Sequence, residues 1–511
     1  MNNASKFSHD SEVILAQPAS SIRVNICDKT VVTELSDDFT LPDYRPEIRR
    51  LLKISVARPT PSVYTGGGSA EFSGDAVYKV LYVGDNGKLC SAELTAVYEA
   101  DAPLNTDKAD TNICAYDEIE AENIVGRVTA PRKLNIRLRL RHRIKAEADC
   151  KLADFDDTAD KSSIIKLAEA LPSRLSIIAD DDSYEIEESI QLPPDTEVLY
   201  SDAVPFITSA EAKDGGILCA GALHLLLSIS DASDNLEKLE RKIPFEAVIN
   251  ADINDDGWDC RAWGCATEAK TEVTDGGIKF RIRLSLCAEA QKNIPVKLTR
   301  DIYATDRPCE IKCESHEICR CAFCSVGNFT LSGAAELSGL PENYQVIASF
   351  ASAEHDELST ENGKYILTGK CRFSALISDG GEFSCREFEL PFKYEFGNAN
   401  DDPADYSAKL TCPTVRVRGD SNTLYADAEI CAAIKICESS EETAVAEASF
   451  GAPDESSRSE YTVVYVPKGE SLWNISKKYS VDPASVAAAN GIRAASPAAP
   501  DSLSGVDFLI I

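Results

Sequence analysis

Apolar and polar residues alternate with a period of two along most of this chain. The clearest stretch runs from Leu134 to Ala148. Leu134, Ile136, Leu138, Leu140, Ile144, Ala146 and Ala148 share one face; Asn135, Arg137, Arg139, Arg141, Arg143, Lys145 and Glu147 share the other. Successive side chains of a strand point to opposite faces, so the pattern predicts a long strand with one buried and one wet side. It returns as Ile278, Phe280, Ile282, Leu284 and Leu286, and again as Leu424, Ala426, Ala428, Ile430 and Ile434. A second feature keeps the same spacing of roughly 145 residues. The stretches Gly74 to Tyr82, Gly221 to Ile229 and Gly369 to Ile377 each begin with glycine and continue as an apolar strand. Turn-forming residues follow at Asp85-Asn86-Gly87, Asp231 to Asn235 and Asp379-Gly380-Gly381, and Pro244-Phe245 and Pro391-Phe392 open the next strand in the later copies. Strand, polar turn, strand reads as a hairpin. The expectation is a mainly β chain of three diverged antiparallel, sandwich-like units over 1–155, 156–291 and 292–437.

Few segments depart from this rhythm. Pro46 to Leu52 and Ser162 to Leu171 could each form a short helix, the first with proline near its start. Residues 438–460 are rich in Glu, Ser and Ala with few large apolar side chains, and are expected to form a flexible acidic tether. The C-terminal 461–511 reads differently again. Tyr461 to Tyr465 is a short strand and Pro467 to Ser471 a turn, with Glu470 or Ser471 able to cap a helix that presents Leu472, Ile475 and Tyr479 on one face. Asp482-Pro483 starts a second helix, Asn490-Gly491 ends it, and Val506 to Ile511 supplies a second strand.

These residues resemble the LysM family. Its pattern of Tyr-x-Val, Gly-Asp-Thr-Leu-Trp-x-Ile, Tyr-Gly and Asn stands here as Tyr461-Thr462-Val463, Gly469 to Ile475, Tyr479-Ser480 and Asn490. The resemblance implies a βααβ module that binds N-acetylglucosamine polymers, such as peptidoglycan, in a groove between two loops. Carried over, that groove is lined by Gly469, Glu470, Ser471, Leu472, Asn490, Gly491 and Ile492. Trp473 is either part of the module's core or a further contact. Glu470-Ser471 replaces the usual Asp-Thr, and Arg493 to Ser504 is a longer, Pro/Ala-rich loop. The stretch Leu41 to Ile48 and the Gly74 to Tyr82 strand resemble the SPOCS (DUF3794-type) domain, which with a C-terminal LysM is the architecture of SipL-type spore-coat morphogenetic proteins. That resemblance implies a sporulation role in the mother-cell cytoplasm at the forespore surface. The partner it implies is the coat-basement ATPase, stage IV sporulation protein A, reached through the LysM.

Composition narrows the chemistry. The 511 residues carry a net charge of −32, which argues against nucleic acid and anionic membrane as partners, since phosphate recognition needs a concentrated positive field. Met1 to Asp10 lacks the basic and apolar regions of a secretory signal, and no apolar run approaches the length of a membrane span, so a cytosolic chain without membrane insertion is expected. In that compartment the 18 cysteines read as small buried apolar residues rather than a disulfide framework. The densest group, Cys309, Cys313, Cys319, Cys321 and Cys324 with His316, holds a single Cys-x-x-Cys pair, and substitution of apolar positions outweighs metal binding there. Asp252 to Gly257 opens like an EF-hand loop, but Trp263 stands where the bidentate Glu belongs, which leaves a hairpin turn. His316-Glu317-Ile318-Cys319-Arg320 lacks the second zinc-protease histidine, Gly66 to Ser69 lacks the P-loop lysine, and no Gly-x-Ser-x-Gly elbow occurs. The arginine face at Arg137 to Arg143 either pairs with acidic neighbours in its sheet or forms a docking stripe. No catalytic residue, metal or cofactor is expected. The sequence points to a non-enzymatic coat-assembly adaptor, with a glycan-binding LysM protein on β spacers as the alternative.

Overall fold

The computed structural model describes residues 12–15, 17–106, 111–154, 163–192, 196–230, 236–274, 277–399, 403–453, 462–493, 496, 498–499 and 502–511. Three units succeed one another. The first comprises β1 (Glu12–Leu15), β2 (Gln17–Thr40), β3 (Ile48–Ala57), β4 (Ser62–Gly66), β5 (Ser69–Gly84), β6 (Leu89–Pro103), β7 (Thr111–Ala130) and β8 (Lys133–Asp154). The second comprises β9 (Ile164–Gln191), β10 (Glu197–Lys213), β11 (Gly216–Ser230), β12 (Leu236–Asn250), β13 (Asp259–Thr274) and β14 (Gly277–Ala304). The third comprises β15 (Cys309–Glu336), β16 (Gln345–Glu361), β17 (Lys364–Asp379), β18 (Glu382–Phe396), β19 (Asp405–Asp420) and β20 (Thr423–Phe450). The C-terminal module holds β21 (Val463–Tyr465), α1 (Leu472–Tyr479), α2 (Pro483–Asn490) and β22 (Phe508–Ile510). Among the described residues no helix is long and apolar enough to cross a membrane.

Each unit is a sandwich built the same way. A long first strand pairs with the last strand of its unit, whose hairpin partner lies on the other side: β2-β8-β7, β9-β14-β13 and β15-β20-β19. The middle strands form the facing sheet, β10-β11-β12 and β16-β17-β18; in the first unit β5 is flanked by β6 on one side and by β3 and β4 on the other. The alternating residues read from the sequence fill the space between. Leu134, Ile136, Leu138 and Leu140 meet Ala76, Tyr78 and Val80; Phe280, Ile282 and Leu284 meet Leu223 and Leu225; Leu424, Ala426 and Ile430 meet Phe373 and Ala375. The repeated glycine has a steric cause. Gly74 pairs with Tyr98, Gly221 with Phe245 and Gly369 with Phe392 across the sheet. A Cβ on Gly221 would lie 2.1 Å from the Phe206 carbonyl, and one on Gly369 2.2 Å from that of Glu354. The neighbouring strand bulges there, between Ile207 and Ser209 and between His355 and Glu357, and a bulge brings backbone too close for a side chain. Pro244 and Pro391 lie on edge strands, where a missing N–H breaks no ladder.

Five expectations change. Residues 48–57 and 164–171 are strand, not helix; pairing with Val77 to Gly84 and with Val296 to Ala304 overrides the local signal. The tether does not begin at 438: β20 continues to Phe450, paired throughout with β15. Glu441 is exposed and Glu442 and Glu447 half-buried, while Glu438, Ala444, Val445, Ala448 and Phe450 are buried. Residues 454–460 of that expected tether lie outside the described residues. Likewise β14 crosses the expected boundary at 291 and runs to Ala304. Asp252 to Gly257 links β12 to β13, which belong to different sheets, so it is a crossover rather than a hairpin turn.

The extra strand length joins the units. Ile22 and Leu152 of the first, Val296 and Leu298 of the second, and Ile318 and Ala444 of the third form one shared core. β1 leaves the first unit and pairs with the end of β20, Glu12 opposite Phe450 and Leu15 opposite Glu447. Between this shared core and the sandwiches lies a buried charged layer. Lys145, Glu289 and Lys435 occupy the same place in the repeat, opposite Tyr116, Arg261 and Ser407 in their hairpins. Lys435 Nζ lies 2.8 Å from Glu289 Oε1, and Arg261 Nε donates to Glu289 Oε2 at 2.7 Å. Lys145 donates to both oxygens of Asp405, at 2.6 and 2.7 Å, and Arg174 reaches Glu147 and the Cys437 sulfur. Burial pushes the Glu289 carboxyl up, but Arg261 and Lys435 overcome that and hold it well below the usual carboxylate range. Each unit thus supplies part of a charge-neutralising set that none completes alone.

The arginine face belongs to this scheme. Arg139 pairs with Glu122 at 2.9 Å and Arg141 with Glu120 at 2.5 Å, both on β7. Arg143 pairs with Asp28 on β2 and with Asp405 of the third unit. The five cysteines of 309–324 are strung along β15, and among the described residues no group of three His, Cys, Asp or Glu side chains converges as a ligand set. Burial pushes the Cys319 thiol up to about 11 and the Cys321 thiol up to about 12, which favours neutral thiols.

Candidate functional site

The C-terminal module folds as its capping residues direct. Ser471 is the N-cap of α1: its side chain accepts from the Asn474 N–H at 3.2 Å. Asp482 caps α2, accepting from Ala484 and Ser485, with Pro483 as first helical residue and Gly491 at the C-terminus in the left-handed region. Ser480 closes α1 at φ 55°, a conformation that favours glycine, and glycine is the residue the LysM pattern has there. β21 and β22 pair antiparallel, and Val464, Leu472, Ile475, Val486, Leu503 and Leu509 form the core.

The eight residues assigned to the groove separate into three groups. Gly469 and Gly491 are exposed, and Glu470 and Ile492 are half-buried; these four line the rims of the two loops. Ser471, Leu472 and Asn490 are engaged internally. Leu472 is core, and its N–H donates to Ser502 Oγ at 3.0 Å, tying the end of the long second loop to the start of α1. The Asn490 amide donates to the carbonyls of Val486 and Ile510 and accepts from the Ile510 N–H, each at 2.8 Å, clamping α2 to β22. Asn490 therefore fixes backbone rather than offering its amide to solvent.

Trp473 forms the third group and stands outside the module's own core. Its indole N–H donates to Asp301 Oδ2 at 2.8 Å, and its ring meets Tyr303 edge-on with centroids 5.1 Å apart. One turn on, Lys477 Nζ lies 2.6 Å from Asp301 Oδ1, and the Tyr303 hydroxyl donates to the Val481 carbonyl at 2.7 Å. Asp301 and Tyr303 stand at the far end of β14, where a register shift between Thr299 and Asp301 re-aims the strand. The module is thus seated on the second unit through the outer face of α1. The sequence signals neither Asp301 nor Tyr303: they continue an ordinary alternating strand, and their partners lie some 170 residues away.

Facing outward, Val463, Tyr465, Phe508 and Ile510 form the solvent side of the two-stranded sheet, Tyr465 64% and Phe508 61% exposed. They too were absent from the groove assignment.

Comparison with known families matches residues 464–500 to the LysM domain. This agrees with the order of strands, helices and caps just described, and assigns the module to a class that suggests binding of peptidoglycan and other N-acetylglucosamine polymers. No curated protein and no solved structure matches the chain.

Proposed function

We propose that this chain is a non-enzymatic recognition and assembly protein: three β units merged into one body carry a LysM module that binds a GlcNAc-containing polymer. The observation that carries this reading is the seating of α1. Trp473 and Lys477 are held by Asp301 on the body side, while the four rim residues Gly469, Glu470, Gly491 and Ile492 stay accessible. A module fixed in this way binds without first losing the orientational freedom of a tether.

A second reading names a protein ligand. The LysM-bearing architecture and the SPOCS-like stretches Leu41 to Ile48 and Gly74 to Tyr82 support a spore-coat adaptor that joins stage IV sporulation protein A in the mother cell. It is favoured by the recurrence of the glycine-led strand as the central strand of the inner sheet in all three units.

The test is co-sedimentation of the full chain with purified peptidoglycan, and in parallel its capture by purified stage IV sporulation protein A. Glu470→Arg and Ile492→Arg serve as groove variants. Binding to peptidoglycan that either variant weakens at least tenfold supports the first reading. Binding to the ATPase alone replaces it with the second, and binding to neither removes both.

A further inference from the structure

The third unit holds two cysteines where its sister units hold aliphatic residues. Cys371 lies two residues after the repeated glycine of its central strand, at the place of Ala76 and Leu223. Cys412 follows Thr411, which pairs with Cys431 as Glu120 pairs with Arg141 and Cys265 with Ser285, so its counterparts are Ala121 and Ala266. Aliphatic side chains fill both places elsewhere in the same fold, so packing calls for sulfur at neither. The two cysteines nevertheless meet. Cys371 Sγ and Cys412 Sγ are 4.0 Å apart in the core of the third sandwich, one on each sheet.

The local backbone brings them together. On β19 the two residues Cys412 and Pro413 stand against Ile430 alone, between the pairs Thr411–Cys431 and Thr414–Glu429. Such a bulge bends its strand, and β19 closes on β16: the Val417 N–H donates to Ser349 Oγ at 3.1 Å, and the Cys412 sulfur accepts from the Ala353 backbone. Ala353 pairs directly with Cys371 in the facing sheet.

The two thiols differ in access. Cys371 is 0% exposed; Cys412 is 8% exposed and borders a cavity of about 1260 Å³ between the units, partly open to solvent. A small oxidant in that cavity therefore reaches Cys412 first, with Cys371 behind it.

We infer that Cys371 and Cys412 form an oxidant-sensitive modification site, at which hydrogen peroxide entering the cavity converts the pair to a disulfide joining the two sheets of the third unit. The Cys412 thiolate attacks one peroxide oxygen and the O–O bond breaks. The products are a sulfenic acid and a hydroxide, which takes up the thiol's proton as water. The Cys371 sulfur then displaces the sulfenic oxygen, which leaves as a second water. Two thiols and one peroxide become one disulfide and two waters; the sulfurs lose two electrons and the peroxide gains them. Side-chain torsions and the bulge close the gap to the bonded distance of about 2 Å. The hydrogen bond with Cys371, and burial, hold the Cys412 thiol above its ordinary value, so thiolate is scarce and the reaction is slow at neutral pH. The bond spans a sequence separation of 41 residues and restricts the unfolded chain accordingly.

The full chain is treated with hydrogen peroxide, unfolded, alkylated with iodoacetamide and digested without reduction for mass spectrometry. A peptide pair joined through Cys371 and Cys412 is expected, released by dithiothreitol, and formed about tenfold faster for each unit of pH rise through neutrality. The joined chain should melt higher than the reduced one. Alanine stands at both counterpart positions in the first unit, so Cys371→Ala and Cys412→Ala are the variants. In Cys371→Ala, Cys412 should stop at the sulfenic acid and be labelled by dimedone. In Cys412→Ala, Cys371 should remain open to alkylation after unfolding, and peroxide should not raise the midpoint. Full alkylation of both cysteines after peroxide, a disulfide from Cys412 to Cys431 or another cysteine, or the same rise in midpoint in Cys412→Ala overturns the site.

Discussion

Two successive stretches of the last strand in each unit obey different rules. At the start of β14, Ile278, Phe280, Ile282 and Leu284 are buried while Lys279 is half-buried and Arg281 and Arg283 are exposed; from Leu284 to Gln291 every residue is buried. β20 changes in the same way, alternating from Leu424 and continuously buried from Ala432 to Cys437. The alternating stretch has one sheet against it. The continuously buried stretch is covered on both sides, because another unit lies on the face that would otherwise be wet; beyond it exposed positions return, at Asn293, Pro295 and Lys297 of β14 and Ser439 to Glu441 of β20. Burial of both faces takes in the polar positions as well, and the chain answers with Glu289 set between Arg261 and Lys435. One strand thus builds an apolar core by pattern and an inter-unit joint by charge pairing.

Substitutions can separate the two stretches, and the largest effect belongs to the joint. Glu289→Ala leaves Arg261 and Lys435 buried without their carboxylate, and should cost about 3–5 kcal/mol in chemical denaturation. Leu284→Ala, in the apolar stretch, should cost about 3 kcal/mol through lost burial and a residual cavity. Replacing Glu289, Arg261 and Lys435 together by apolar residues of similar volume should cost less than Glu289→Ala alone, since no unpaired charge remains. A combined variant less stable than the single one would show that the joint depends on its ion pairs in themselves.

Acid should weaken the joint before the sandwiches. Burial pushes the Glu118 carboxyl up, but Lys409, Lys145, Ser407 and Arg261 bring it from 4.5 down to about 2. A carboxylate with a depressed folded value contributes fully above its unfolded value and loses that contribution as pH falls through the folded one. Stability should therefore decline between about pH 4.5 and 2, and Glu118→Gln should flatten that decline in a pH series of denaturation midpoints. The smallest change is in the C-terminal module. Ser480→Gly removes a side chain from a left-handed position and should stabilise the module by about 0.5–1 kcal/mol, read from the exchange protection of α1.

The sequence made the sandwiches legible because one covered face leaves a period of two. The repeat, the hairpin turns after Tyr82 and Ile377, and the caps at Ser471, Asp482 and Gly491 follow from local chemistry and were readable for that reason. The joint was not. Once both faces are buried the alternation disappears, so β14 and β20 seemed to stop at 291 and 437, and the acidic residues after Glu438 resembled a tether. Pro46 to Leu52 resembled a helix because its pairing partner lies thirty residues onward. At the LysM module the pattern pointed to two loops, but it could not distinguish an exposed rim residue from one held by a distant strand. Trp473 is held by Asp301, and Asn490 by Ile510.

Amide hydrogen exchange over the full chain, with and without peptidoglycan, tests the central claim most directly: a fixed module that recognises its ligand through the two loop rims. The account predicts that α1 around Trp473 and Lys477 is protected in both states, and that ligand slows exchange at 467–472 and 491–492. Free exchange of α1 in the unliganded chain, or ligand protection confined to the β body, would contradict it.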